Sequence, residues 1–134
     1  MTNVNTTGLT EEDLQEIYER FNTLVAKLDT SNTSNFFSAL LGPEEKIMLT
    51  KRLAAVVMYT QGFTSYRISH VLAISPSTSD RIWQDYKAGR YKGVIDTLKR
   101  QKADYTKFWK TLEVISRGGL PSIADPWRTG FGKD

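Results

Sequence analysis

Thr64-Ser65-Tyr66-Arg67-Ile68-Ser69-His70-Val71-Leu72-Ala73-Ile74-Ser75-Pro76-Ser77-Thr78-Ser79-Asp80-Arg81-Ile82 divides into two short helical segments around a break at Ala73-Ile74. Two helices joined by so short a turn pack near a right angle. Ile68 and Leu72, with Val71 nearby, supply the apolar face of the first segment, and Ser69 is small where the helices come closest. Ala73 is the small residue of the turn, where glycine tolerates positive φ better. Ile74 plugs the corner, Ser75 is an N-cap, Pro76 suits the first helical position, and Ile82 returns an apolar anchor to the core. The pattern predicts a helix-turn-helix over residues 64–87.

The polar residues left on the second helix then have a use. Short hydroxyl side chains at a helix start reach phosphates or base edges, and arginine reads guanine or grips phosphate. In helix-turn-helix proteins this end of the second helix enters the major groove. The expected DNA-contacting set is Ser65, Tyr66, Arg67, Ser75, Ser77, Thr78, Ser79, Asp80, Arg81, Gln84 and Lys87.

Working outward, Thr10 followed by Glu11, Glu12 and Asp13 reads as a capped helix start. Leu14, Ile17, Tyr18, Phe21, Leu24, Val25 and Leu28 then recur at steps of three and four, a broad apolar stripe that asks for a partner surface. Asp29–Asn35 reads as a polar break, and Phe36, Phe37, Leu40 and Leu41 as a short apolar helix. Gly42-Pro43 punctuates, and a helix apolar on much of its circumference runs to about Gln61, with Gly62 as its stop. After Ala88-Gly89 the pattern restarts at Tyr91, and Gln101–Asp104 is either a kink or a new start. Residues 1–9 are expected to be disordered, 10–117 to form one helical domain, and 118–134 to be a flexible tail containing glycine and proline. Trp127, Arg128 and Phe131 in that tail could dock on the domain, on DNA or on a partner. The fold class is all-α.

Composition narrows the function. The chain has 134 residues and no cysteine, which excludes disulfides and thiolate metal sites. No apolar run approaches the length of a membrane span and no signal peptide is visible, so no membrane partner and a cytoplasmic address are expected. Net charge is −4 over residues 1–41, +5 over 42–100 and +2 over 101–134, and a basic middle attracts polyanions. His70, the only histidine, reads as a surface residue of the first motif helix. Glu44 and Glu45 diverge by about 100° and read as first-turn acids rather than an acid–base pair. Tyr105, Phe108 and Trp109 read as core or dimer contacts. No metal spacing, phosphate loop or nucleophile motif appears, and no enzyme activity is expected.

Leu40-Leu41-Gly42-Pro43-Glu44-Glu45-Lys46, Leu49-Thr50-Lys51-Arg52-Leu53, Gly62 and the motif above resemble the Trp repressor superfamily, especially its bacterial Trp-repressor-like branch, over about 48 residues. The resemblance implies an all-α intertwined homodimer, with the stripe Leu14, Ile17, Tyr18, Phe21, Leu24, Val25 and Leu28 as dimer core. Its two recognition helices would lie about 34 Å apart on a palindromic operator. Arg52, Thr78 and Arg81 match residues of the family's effector pocket. Gly42 stands where the family has threonine, Ile82 where the repressor has a glycine that makes room for indole, and Asp85 where it has a small hydroxyl residue. Tryptophan is therefore not expected as a co-repressor, and no other cofactor is expected. The expected function is a homodimeric repressor on double-stranded DNA. The alternatives are an accessory DNA-binding protein of a mobile element and a helical protein-interaction module that has lost DNA binding.

Overall fold

A computed structural model describes residues 8–118, and these contain seven helices and no strand. In order they are α1 (Glu11–Ala26), α2 (Thr30–Leu40), α3 (Pro43–Thr60), α4 (Ser65–Leu72), α5 (Pro76–Lys87), α6 (Lys92–Arg100) and α7 (Lys102–Ser116). The chain divides into two compact units, Met1–Lys46 and Ile47–Asp134, the division falling just after the first turn of α3. The segments 1–7 and 119–134, where the disordered start and most of the flexible tail were expected, lie outside the described residues.

In the first unit α1 begins with a capping box. The Asp13 amide donates to Thr10 Oγ1 at 3.0 Å and the Thr10 amide to Asp13 Oδ2 at 3.1 Å. The stretch Asp29–Asn35, read as a break, is instead an N-cap and the first turns of α2. Asp29 Oδ1 accepts the Asn32 amide at 2.8 Å, and the Asp29 carbonyl accepts from Thr33 Oγ1 at 2.7 Å. A strong cap starts the helix despite the poor propensity of its Ser, Thr and Asn residues. The rings of Phe21 on α1 and Phe36 on α2 lie 6.2 Å apart. Neither helix has a buried residue, and Ile17, Tyr18 and Leu24 are more than half exposed.

In the second unit α3 is the central element. Its residues Ala54 to Tyr59 are all buried, as a helix apolar around its circumference requires. It ends in a Schellman motif: Gly62 has φ +91°, its amide bonds to the Tyr59 carbonyl, and the Phe63 amide bonds to the Met58 carbonyl at 3.1 Å. Phe63, Ile68, Ile82, Tyr91 and Leu112 complete the buried core, with Tyr105, Phe108 and Trp109 packed against it. At Gln101 the backbone is no longer helical, so the polar gap is a new start that separates α6 from α7. The Tyr105 and Thr60 hydroxyls bond at 3.0 Å and the Trp109 ring meets Phe63 edge-on at 5.8 Å, fixing α7 to the end of α3.

Candidate nucleic-acid interface

Local chemistry dictates the turn between α4 and α5. Thr64 caps α4 by accepting the Arg67 amide at 3.1 Å. Ala73 takes a left-handed conformation, φ 54° and ψ 51°, and is the only described residue other than glycine with positive φ. The Ile74 amide bonds to the Ser69 carbonyl at 3.1 Å, closing a second Schellman turn. Ser75 caps α5 through the Thr78 amide at 3.0 Å, with Pro76 as the first helical residue. Lys51 Nζ donates to the Ala73 carbonyl at 3.1 Å, tying the turn to α3.

Packing sorts the eleven expected contact residues. Ser79 is fully buried and cannot meet a groove from outside. It lies three residues before Ile82, on the face that turns inward. Its hydroxyl donates to the Ser65 carbonyl at 2.8 Å, and the Tyr59 hydroxyl donates to the Ser79 carbonyl at 3.0 Å. Ser65 is half-buried and its hydroxyl donates to Asp80 Oδ1 at 2.6 Å, so it clamps α4 onto α5. Arg67 is also turned inward: its Nη2 donates to the Ser116 carbonyl at 2.9 Å, and its guanidinium lies 5.6 Å from the Phe63 ring centre. Thr78 is half-buried.

Seven residues stay outward: Tyr66 on α4, Ser75 at the turn, and Ser77, Asp80, Arg81, Gln84 and Lys87 on α5. Ser77, Arg81 and Gln84 follow steps of four and three and form one stripe. Tyr66 is 73% exposed, with its ring edge-on to His70 at 4.5 Å. Lys87 Nζ lies 5.3 Å from the Trp83 ring, which stacks on Tyr86. Burial raises the Tyr86 hydroxyl above the usual tyrosine range, and Tyr105 adds to the shift.

Arg52, Thr78 and Arg81 do come together. They line a cleft of about 110 Å³ with Lys51, Ile82 and Arg90. Ile82 is buried against its floor, and Asp85 forms an ion pair with Arg90 at 3.0 Å. Pockets for drug-sized ligands run to about 300–1,000 Å³. A second, almost wholly apolar groove of about 380 Å³ opens between Leu49, Leu53 and Val56 of α3, Tyr91, Val94 of α6, and Phe108 of α7. The sequence reading missed this groove, because its lining is spread over three helices and is visible only once they pack.

Among the described residues no cluster of His, Cys, Asp or Glu could hold a metal, and no helix is long and apolar enough to cross a membrane. No family model, curated protein or solved structure matches the chain.

Proposed function

We propose that this protein is a sequence-specific DNA-binding regulator, a transcriptional repressor that acts as a homodimer on a palindromic operator. The observation that carries the reading is the α4–α5 arrangement. A tight left-handed turn at Ala73 and a clamp between Ser65 and Ser79 hold the two helices together. The start of α5 is left as an outward polar stripe with Arg81 at its centre. A helix held in this way presents donors and acceptors to base edges without having to reorganise.

The homodimer is supported by apolar surface on each unit: the exposed Ile17, Tyr18 and Leu24 of α1 and the groove on the second unit. Contiguous apolar surface of this kind marks association sites. In a two-fold dimer both recognition helices face the same side of the duplex.

Free tryptophan is not the effector in this reading. The cleft at Arg52, Thr78 and Arg81 is small, and the buried Ile82 lines it where the resemblance implies a glycine that makes room for indole. Isothermal titration is expected to show no tryptophan binding tighter than millimolar.

The test of the function is selection of bound sequences from a random duplex pool at physiological salt. An enriched palindrome is the expected outcome. Retention without sequence preference points to an architectural protein, and no retention points to a protein-interaction module.

A further inference from the structure

The helix-turn-helix carries little of the charge that a polyanion demands. From Thr64 to Lys87, three Lys or Arg stand against two Asp, and one of the three, Arg67, is turned onto Ser116 and Phe63. Phosphate contacts nevertheless supply essentially all of non-specific DNA affinity and a large share of specific affinity.

The missing charge comes next along the chain. Residues 90–110 hold seven Lys or Arg and two Asp, more net positive charge than the whole protein. Two of the seven are satisfied locally, Arg90 by Asp85 and Lys92 by Asp96. Lys99, Arg100, Lys102, Lys107 and Lys110 are exposed and form no ion pair among the described residues. Lys99 and Arg100 close α6, and Lys102 opens α7 on the other side of Gln101. At about 100° per residue, Lys102, Lys107 and Lys110 fall within an arc of about 140° on α7. That arc faces away from Tyr105, Phe108, Trp109 and Leu112, which pack on the core. Core packing thus forces the cations outward. α7 is fastened beside α4 by the Phe63–Trp109 contact and by the Arg67 bond to Ser116, so the strip is held in the same unit as the reading helix.

We propose that the strip running from Lys99 to Lys110 binds the sugar-phosphate backbone of nucleic acid and supplies the electrostatic attraction that the helix-turn-helix lacks. The inference rests on the DNA-binding reading and adds a second surface to it: α5 reads bases and the α6–α7 strip holds phosphates.

The experiment compares the full chain with Lys102→Gln/Lys107→Gln/Lys110→Gln for duplex binding over a range of salt concentrations. Each lost phosphate contact removes about 0.9 from the slope of log affinity against log salt. Because the proposed homodimer carries each substitution twice, the triple variant is expected to have a slope shallower by about 5 with its preferred sequence unchanged. The milder pair Lys107→Gln/Lys110→Gln should lose about 4, and Arg20→Gln/Lys27→Gln, far from the strip in sequence, should lose nothing. DNA binding by the wild type with the same slope in the triple variant overturns the proposal. An unchanged slope together with a smaller oligomer also overturns it, and assigns the strip to the acidic α1 of a second copy. If the wild type binds no duplex at micromolar concentration, the DNA-binding reading falls first and the strip's role falls with it.

Discussion

Ala73 and Ser79 are single residues on which the α4–α5 geometry turns. The left-handed conformation at Ala73 costs an alanine about 1–2 kcal/mol. Glycine removes that cost but loses about 0.5–1 kcal/mol of its own through its freer unfolded chain. Ala73→Gly is therefore expected to stabilise the protein by roughly 0.5–1 kcal/mol, read as a higher urea midpoint at constant m-value. Ser79 sits where no side-chain volume is spare. Ser79→Ala removes the hydroxyl that donates to the Ser65 carbonyl and accepts from the Ser65 hydroxyl, while the Tyr59 hydroxyl keeps the Ser79 carbonyl, for a loss of about 1–2 kcal/mol. A urea midpoint equal to wild type would show that the clamp carries no stability. The two residues also differ in how plainly the sequence declares them. Ala73 stands at the one break in an apolar pattern, and its backbone role follows from position alone. A serine three residues before an apolar anchor is equally consistent with a surface hydroxyl and with a buried clamp. Only the approach of Tyr59 and Ser65 decides between them.

Among the elements, those with strong end signals were legible before any coordinates. Thr10 with Asp13, Gly42-Pro43 with Glu45, Ser75-Pro76 and Gly62 all mark helix ends where they were expected. The start of α2 was not legible, because Ser, Thr and Asn resemble a loop until Asp29 caps them. The gap at Gln101 is resolved only by its backbone, which leaves the helical region between α6 and α7. The aromatic layer between α3 and α5 yields a prediction at this scale. Tyr59, Trp83 and Tyr86 stack with ring centres 4.9–5.7 Å apart, and burial lifts the Tyr86 hydroxyl above its ordinary value. A raised folded-state value means that the unfolded chain releases this proton first. The associated stability is full below the usual tyrosine range and is lost as pH climbs through the raised value. Denaturation midpoints measured from neutral to strongly alkaline pH should fall more steeply in the wild type than in Tyr86→Phe.

At the scale of the molecule, each unit carries apolar surface of its own: Ile17, Tyr18 and Leu24 of α1 are more than half exposed, and the groove on the second unit is lined almost wholly by apolar residues. Replacing Ile17 and Leu24 by Asp places charge on the exposed edge of the stripe. For the proposed homodimer the expected result is a shift from dimer to monomer in sedimentation equilibrium, with α4 and α5 still folded. A dimer that survives both changes would move the interface to another surface. The residue pattern made the stripe visible from the start, because periodicity along one helix is a one-dimensional signal. The groove and the buried clamp are properties of several helices at once and could not be read in that way. The aromatics of α5 that pack on Tyr59 have one more consequence. Trp83 is half-buried, lies against two tyrosines and has the Lys87 ammonium over its ring, so its emission colour and quantum yield depend on where that ammonium sits. A ligand that draws Lys87 away would change the light this indole returns, making the protein its own optical indicator of occupancy without an added dye.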